Sequence, residues 1–293
     1  MSDSPVKILT SHRVLQSCLE LEFLFECIFP GVPCVTRLSD CGGASTVVYL
    51  EYDLDAKLCE QISRTQNLLI YHLGDETAIK DLSGYVFAKA VFRNYYHERI
   101  FADLRFTDRL YWMPNGFRNG LKNQHRHALR PVSERSVLAS FIGWLSNPNA
   151  VANERAAFQS IAPACANLLQ CIPTQGFAGG FSPHLYKALL EDAVFAPCPA
   201  GNAAETIRLF DAMECGCIPI SLKHPFLQRA ICMANPPFEF LDRWEDLPHR
   251  LKSLEALQRD EPARLVKMQD AVKTYWRALK SNGRSKALMY SLS

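Results

Sequence analysis

The sequence predicts an α/β protein of two doubly wound, Rossmann-like domains facing a cleft. Three observations carry this reading. Short apolar runs alternate with helical patterns in both halves of the chain, and a polar stretch, Asn115 to Ser136, separates the halves. Residues 195–225, FAPCPAGNAAETIRLFDAMECGCIPISLKHP, spell out a complete strand, turn, helix, turn and strand. A chain of 293 residues also divides naturally into two domains of about 130–150 residues. The expected boundaries are 1–130, 131–260 and a C-terminal helix over 261–293.

In the first half, Lys7 to Thr10, Val35 to Leu38, Thr46 to Tyr52, Leu68 to Tyr71, Val86 to Phe92 and Leu110 to Met113 read as strands. Val14 to Phe29 reads as an amphipathic helix. In the second half the expected strands are Val137 to Gly143, Leu168 to Ile172, Val194 to Ala196 and Cys217 to Ser221. Helices are expected from about Asn153 to Ile161, Pro183 to Leu190 and Asn202 to Cys215, the last closed by Gly216. Its Ile207, Phe210 and Met213 face a core, while Glu205, Arg208 and Asp211 share another side. Leu265, Met268, Val272 and Trp276 keep helical spacing within a final helix over Glu261 to Leu288.

Composition narrows the functional classes. A net charge of +2 gives no bulk field for nucleic acid or anionic membrane, so neither is an expected partner. The eleven cysteines are odd in number, scattered and without zinc-like CxxC spacing, which points to a reducing compartment without structural disulfides. The start, MSDSPVKILTSHR, has no long apolar segment, and no 18-residue apolar run follows. The expectation is a cytoplasmic protein with neither signal peptide nor membrane span.

The Cys198-Pro-Ala-Gly201 turn feeds a helix start, where N–H groups and the positive end of the helix dipole suit a diphosphate. The whole string resembles the C-terminal signature of exostosin-type glycosyltransferases. Cys198, Pro199 and Gly201 match its turn; Thr206, Arg208, Leu209, Asp211 and Ala212 match its helix; Gly216 to Ile220 match its second strand. Thr206 stands where the family has Ser, and Asp211 where it has Glu. The resemblance implies the GT-B fold, a final helix crossing back to the first domain, and a UDP-sugar donor in the second domain. Gly201, Asn202, Ala203, Ala204 and Arg208 would then hold the diphosphate, Asp211 the ribose, and Glu205 and Thr206 would also line the donor site. Gly143, with Arg155 on the following helix, matches a second family feature that approaches the donor phosphates. The two arginines would offset charge on the leaving UDP, so no cofactor or metal is expected.

In the first domain, Asn67 to Glu76 (NLLIYHLGDE) is an apolar strand ending in a His and two carboxylates. An inverting sugar transfer needs a general base for the acceptor hydroxyl. Asp75 is the first choice, Glu76 the second, and His72 would orient the acceptor; the alternative is that either carboxylate caps the following helix. With Phe92 to Tyr96 (FRNYY), this block resembles the exostosin-like subgroup that includes ribitol xylosyltransferases, which implies UDP-xylose as donor. Arg93 and Asn94 would contact acceptor or donor. The acceptor is expected to be an oligosaccharide or other glycan, chosen by loops around Ser39 to Ala44 and Asn115 to His127.

Asp53-Leu54-Asp55 opens a rival reading, because DxD is the metal-binding motif of GT-A transferases. Its position in the half without the phosphate signature favours a solvated turn and helix cap. A carbohydrate-binding protein of the same fold without activity is the non-enzymatic alternative.

Overall fold

The computed structural model describes residues 4–122, 129–146, 154–177, 179–229 and 235–292. Contacts divide the chain into two compact units, Met1–Asn115 with Leu279–Ser293, and Gly116–Ala278. The change of unit falls at the start of the polar stretch, because Phe117 and Leu121 are buried within the second unit.

The first unit is one parallel sheet of six strands, β1 (Val6–Thr10), β2 (Cys34–Val35), β3 (Thr46–Glu51), β4 (Asn67–His72), β5 (Ala90–Arg93) and β6 (Leu110–Trp112), in the order β2-β1-β3-β4-β5-β6. All six residues of β3 are buried, as expected of a parallel strand covered on both faces. Its helices are short: α1 (His12–Ser17), α2 (Leu21–Phe23), α3 (Ala56–Ser63) and α4 (Glu98–Phe101). The continuous helix expected from Val14 to Phe29 is therefore interrupted. Cys18 turns extended, with φ −72° and ψ 122°, and the chain resumes as α2 and a π-helical turn, Leu24–Ile28. The expected strand over Val86 to Phe92 shortens to β5, since Ser83–Phe87 winds into a 3₁₀ turn.

The second unit is a parallel sheet of five strands, β7 (Val137–Gly143), β8 (Leu169–Pro173), β9 (Ala193–Pro197), β10 (Ile218–Leu222) and β11 (Glu239–Leu241), in the order β11-β10-β9-β7-β8. Its helices are α5 (Glu154–Ile161), α6 (Pro183–Glu191), α7 (Ile207–Glu214), α8 (Pro225–Arg229) and α9 (Leu247–Asp260), followed by the start of α10 (Pro262–Leu292). The expected helix start at Asn153 lies outside the described residues, as does part of the loop toward His127. Every residue of α7 is buried. It begins at Ile207 rather than Asn202, because Gly201 N–H turns back to the Ala203 carbonyl and the Thr206 N–H to that of Ala204. Phe158 packs between Phe141 and Trp244, with ring centroids 4.7 and 5.2 Å apart.

Helix α10 is shared. Up to Ala278 it belongs to the second unit, where Trp276 donates to Glu214 (2.6 Å) and the buried Gln269 bonds Arg130 O, Gly216 O and Val132 N–H. From Leu279 it belongs to the first, where Ser291 O accepts from Thr46 and Tyr290 packs on Phe92.

Both sheets follow the order 2-1-3-4-5, extended by one strand in the first unit. In such sheets ligands sit past the carboxyl ends of strands where the winding reverses. In the second unit that point lies between β7 and β9, whose ends are Gly143 and Pro197.

Candidate functional site

The switch point of the second unit holds two buried guanidinium groups. Arg208, on the first turn of α7, donates from Nη1 to the Ile142 carbonyl at 2.5 Å and lies over the Phe141 ring, with Cζ 4.3 Å from its centroid. Its Nε is buried without a hydrogen-bond partner. Arg155, on α5, donates to Trp144 O (2.5 Å) and Ala200 O (3.0 Å), and a β-carbon on Gly201 would stand 3.3 Å from its Nη2. Among the described residues no carboxylate lies within ion-pair distance of either guanidinium. Burial first, and the charge of Arg208 second, push Arg155 down to about 9. Two buried cations that repel each other and lack a carboxylate partner form a site that favours an anion.

The loop beside them is held from behind. Glu154 is buried and accepts from Ala200 N–H and the Trp244 indole N–H, both at 3.0 Å, while His224 Nε2 lies 3.1 Å from its other oxygen. These contacts hold its carboxyl below the usual range against the opposing effect of burial. Beyond Gly201, Asn202 is exposed, Ala203 and Ala204 are half-buried, and Glu205 and Thr206 are buried. Thr206 is the N-cap of α7 but makes no side-chain cap bond.

Asp211 is the residue expected at the ribose. It is wholly buried and its oxygens are engaged inside the unit: Arg118 N–H (2.9 Å), Arg118 Nε (2.8 Å) and the Tyr186 hydroxyl (3.2 Å). The Arg118 guanidinium also stacks on the Tyr186 ring, Cζ 3.9 Å from its centroid. Asp is one methylene shorter than the family's Glu, and here that carboxylate holds Arg118. Sequence alone does not single out Arg118, Tyr186 or Glu154; the FRNG turn at 117–120 is the one signal, and it has the composition of a polar linker.

In the first unit, β4 and β5 bring a second cluster to their carboxyl ends. Register pairs His72 with Arg93. Arg93 is fully buried and its Nη2 lies 3.1 Å from Asp75 Oδ2. Asp75 also accepts from the Ile79 and Lys80 N–H groups at 3.0 and 3.3 Å. Burial opposes its ionisation, but the Arg93 charge and hydrogen bond hold its carboxyl below the ordinary value. Asp75 is thus an enclosed carboxylate held in an ion pair. The other bonds of Arg93 reach the Tyr85 hydroxyl and the Asp75 carbonyl. Asn94 is buried and accepts from Gly74 N–H at 3.0 Å.

His72 is also interior. Its Nε2 sits 3.0 Å from the Tyr52 carbonyl, which can only accept, so Nε2 carries the hydrogen and Nδ1 accepts from Tyr85 at 2.7 Å. Burial first, then the Arg93 charge, push it down to about 4, leaving a neutral imidazole that supports the loop. Glu76 alone of the three expected residues is half-buried, with Oε1 accepting from the Tyr95 hydroxyl at 3.0 Å. Tyr95 and Ala78 have φ of 59° and 55°. Non-glycine residues held there cost about 1–3 kcal/mol each, strain that collects around functional loops. The DxD residues have structural partners: Asp55 caps α3 through Lys57 and Leu58 N–H, and Asp53 pairs with Arg13 and Lys80.

The two parallel sheets have the topology of the GT-B fold, which removes the GT-A alternative. Residues 113–247 match the model of the Exostosin GT47 domain. Among solved structures, the DNA modifying enzyme beta-glucosyltransferase, described with and without its substrate uridine diphosphoglucose, aligns at TM-score 0.53 and 9% identity over 98% of this chain and 99% of that one. TarM aligns at TM-score 0.47 and 8% identity, covering 85% of this chain and 55% of TarM. A GtfA/B complex aligns at TM-score 0.45 and 10% identity, with 82% and 57% coverage. No curated protein matches the sequence. Among the described residues no helix is long and apolar enough to cross a membrane.

Proposed function

We propose that this protein is an inverting, metal-independent glycosyltransferase that moves a sugar from a UDP-sugar, with xylose the first candidate, to a carbohydrate acceptor. One observation carries the donor assignment: Arg155 and Arg208 are buried at the β7/β9 switch point, bonded to backbone carbonyls and without a carboxylate partner among the described residues. A diphosphate supplies the missing negative charge. As the sugar leaves, charge grows on that diphosphate, and the two planar forks stabilise it in place of a divalent cation. The structure solved with uridine diphosphoglucose supports a uridine nucleotide as the donor carrier.

In the first unit Glu76 takes the acceptor's proton. Among the described residues it is the carboxylate at the end of β4 that is neither ion-paired nor enclosed, whereas Asp75 is both. Arg93, Asp75, His72 and Asn94 then form the frame that shapes its loop.

The test is calorimetry with UDP. Arg208→Ala should weaken binding by tenfold or more, the scale of a lost charge-assisted bond. Unaltered affinity sinks the donor assignment. A thermal-shift panel of UDP-, GDP- and CMP-sugars identifies the nucleotide, since a ligand bound only by the folded state raises its melting temperature. Turnover that stops in excess EDTA would overturn metal independence.

A further inference from the structure

Residues 93–97 grip residues 74–76 at four points. Arg93 pairs with the Asp75 carboxylate at 3.1 Å, and the Asn94 side chain accepts from Gly74 N–H at 3.0 Å. The Tyr95 hydroxyl donates to Glu76 Oε1 at 3.0 Å, and His97 Nε2 donates to the Glu76 carbonyl at 2.8 Å. Three of these contacts hold backbone or an interior ion pair. The Tyr95 bond alone reaches the half-buried Glu76 carboxylate, and Tyr95 makes it from the left-handed backbone region, at φ 59°, with its ring buried. A bulky residue seldom adopts that conformation unless its surroundings demand it. The bend puts consecutive residues to different uses, Asn94 on the loop's backbone and Tyr95 on its carboxylate.

We propose that Tyr95 is the positioning residue for Glu76: its hydroxyl fixes one carboxylate oxygen and leaves the other turned toward the acceptor. This rests on the reading of Glu76 as base. In the transfer, the acceptor oxygen gives its proton to Glu76 while it bonds to the sugar's anomeric carbon, and the bond from that carbon to the diphosphate oxygen breaks with its electron pair. Tyr95 keeps its own proton throughout. Its task is to limit the rotamers of a flexible carboxylate so that the reactive oxygen stays in place.

A double-mutant cycle tests this, with UDP release from UDP-xylose and UDP-glucose as the readout and water standing in for the acceptor hydroxyl. Tyr95→Phe keeps the ring and the backbone conformation and removes only the donor. It should lower turnover roughly tenfold or more, with the KM for the nucleotide sugar and the melting temperature unchanged. In a Glu76→Gln background the same substitution should change the residual rate by less than about twofold, because its effect passes through the carboxylate. Equal losses in both backgrounds, or no loss in either, overturn the positioning role. Full activity of Glu76→Gln alone overturns the base assignment instead. Wild-type protein that releases no UDP from either sugar counts against the functional reading as a whole, and the role of Tyr95 falls with it.

Discussion

The Nη2 atom of Arg208 occupies the space that a side chain on Gly143 would need: a β-carbon built there would stand 2.0 Å away. The close approach lets the guanidinium reach the Ile142 carbonyl beneath the switch point. Gly143→Ala should therefore displace Arg208. Its long side chain can yield at its far end, so the loss of stability should stay within about 1–2 kcal/mol, while UDP affinity falls tenfold or more. Thermal unfolding and calorimetry on one preparation check both halves of the expectation. A variant that binds UDP normally would show that Arg208 is not seated for the diphosphate.

Repulsion between Arg155 and Arg208 implies that a multivalent anion stabilises the second unit even without a sugar or base attached. Inorganic pyrophosphate should raise the melting temperature, by the equivalent of about 2.7 kcal/mol at a hundredfold excess over its dissociation constant. Arg155→Met should remove most of that gain, and added salt should diminish it. A shift that survives the substitution would place the anion elsewhere.

The sequence was most informative where function depends on one continuous segment. Val137 to Gly143 forms β7 as expected, and the turn at Cys198 to Gly201 lies beside Arg208 and Arg155. Contacts made across long sequence separations were not legible. Asp75 and Arg93 are 18 residues apart and meet through the β4–β5 register; Arg118 and Asp211 are separated by 93. Each pair converts a carboxylate with catalytic or ligand-binding credentials into an interior anion. Helix α9 carried a readable pattern, with Leu247, Leu251 and Leu254 on its buried side, but Pro248 in its first turn resembles a loop signal until the helix after it is recognised. The start of α7 misled for the opposite reason. Ala203 and Ala204 favour a helix, yet backbone bonds at Gly201 and Thr206 fold them into bends.

Asp75→Asn separates an interior ion pair from a catalytic base. If Asp75 pairs with Arg93, the neutral amide leaves a fully buried guanidinium without its counter-charge, and stability should fall by about 3–5 kcal/mol. Denaturant unfolding reads this as a lower midpoint with an unchanged slope. A normally stable but inactive Asp75→Asn protein would instead restore Asp75 as the base.

His72 gives the fold an acid sensitivity whose sign follows from its surroundings. Its folded-state pKa is pushed from 6.5 down to about 4, chiefly by burial and next by the Arg93 charge. Between those values the unfolded chain binds more protons than the folded one, so stability rises with pH. The full contribution is present above about pH 6.5, and it is lost as pH falls toward 4. The loss approaches about 3 kcal/mol at the lower end, from about 1.4 kcal/mol per pH unit. Below pH 4 both states carry the proton and the contribution levels off. Burial also lowers the pKa of His97, so the wild-type slope alone does not isolate His72. His72→Gln does: its amide can donate to the Tyr52 carbonyl and accept from Tyr85 without titrating. Unfolding free energies measured at half-unit steps from pH 4 to 7 should show a shallower slope for the variant, with the wild type losing stability relative to it as pH falls. Parallel curves would mean that His72 takes up its proton as readily in the folded protein as in the unfolded chain.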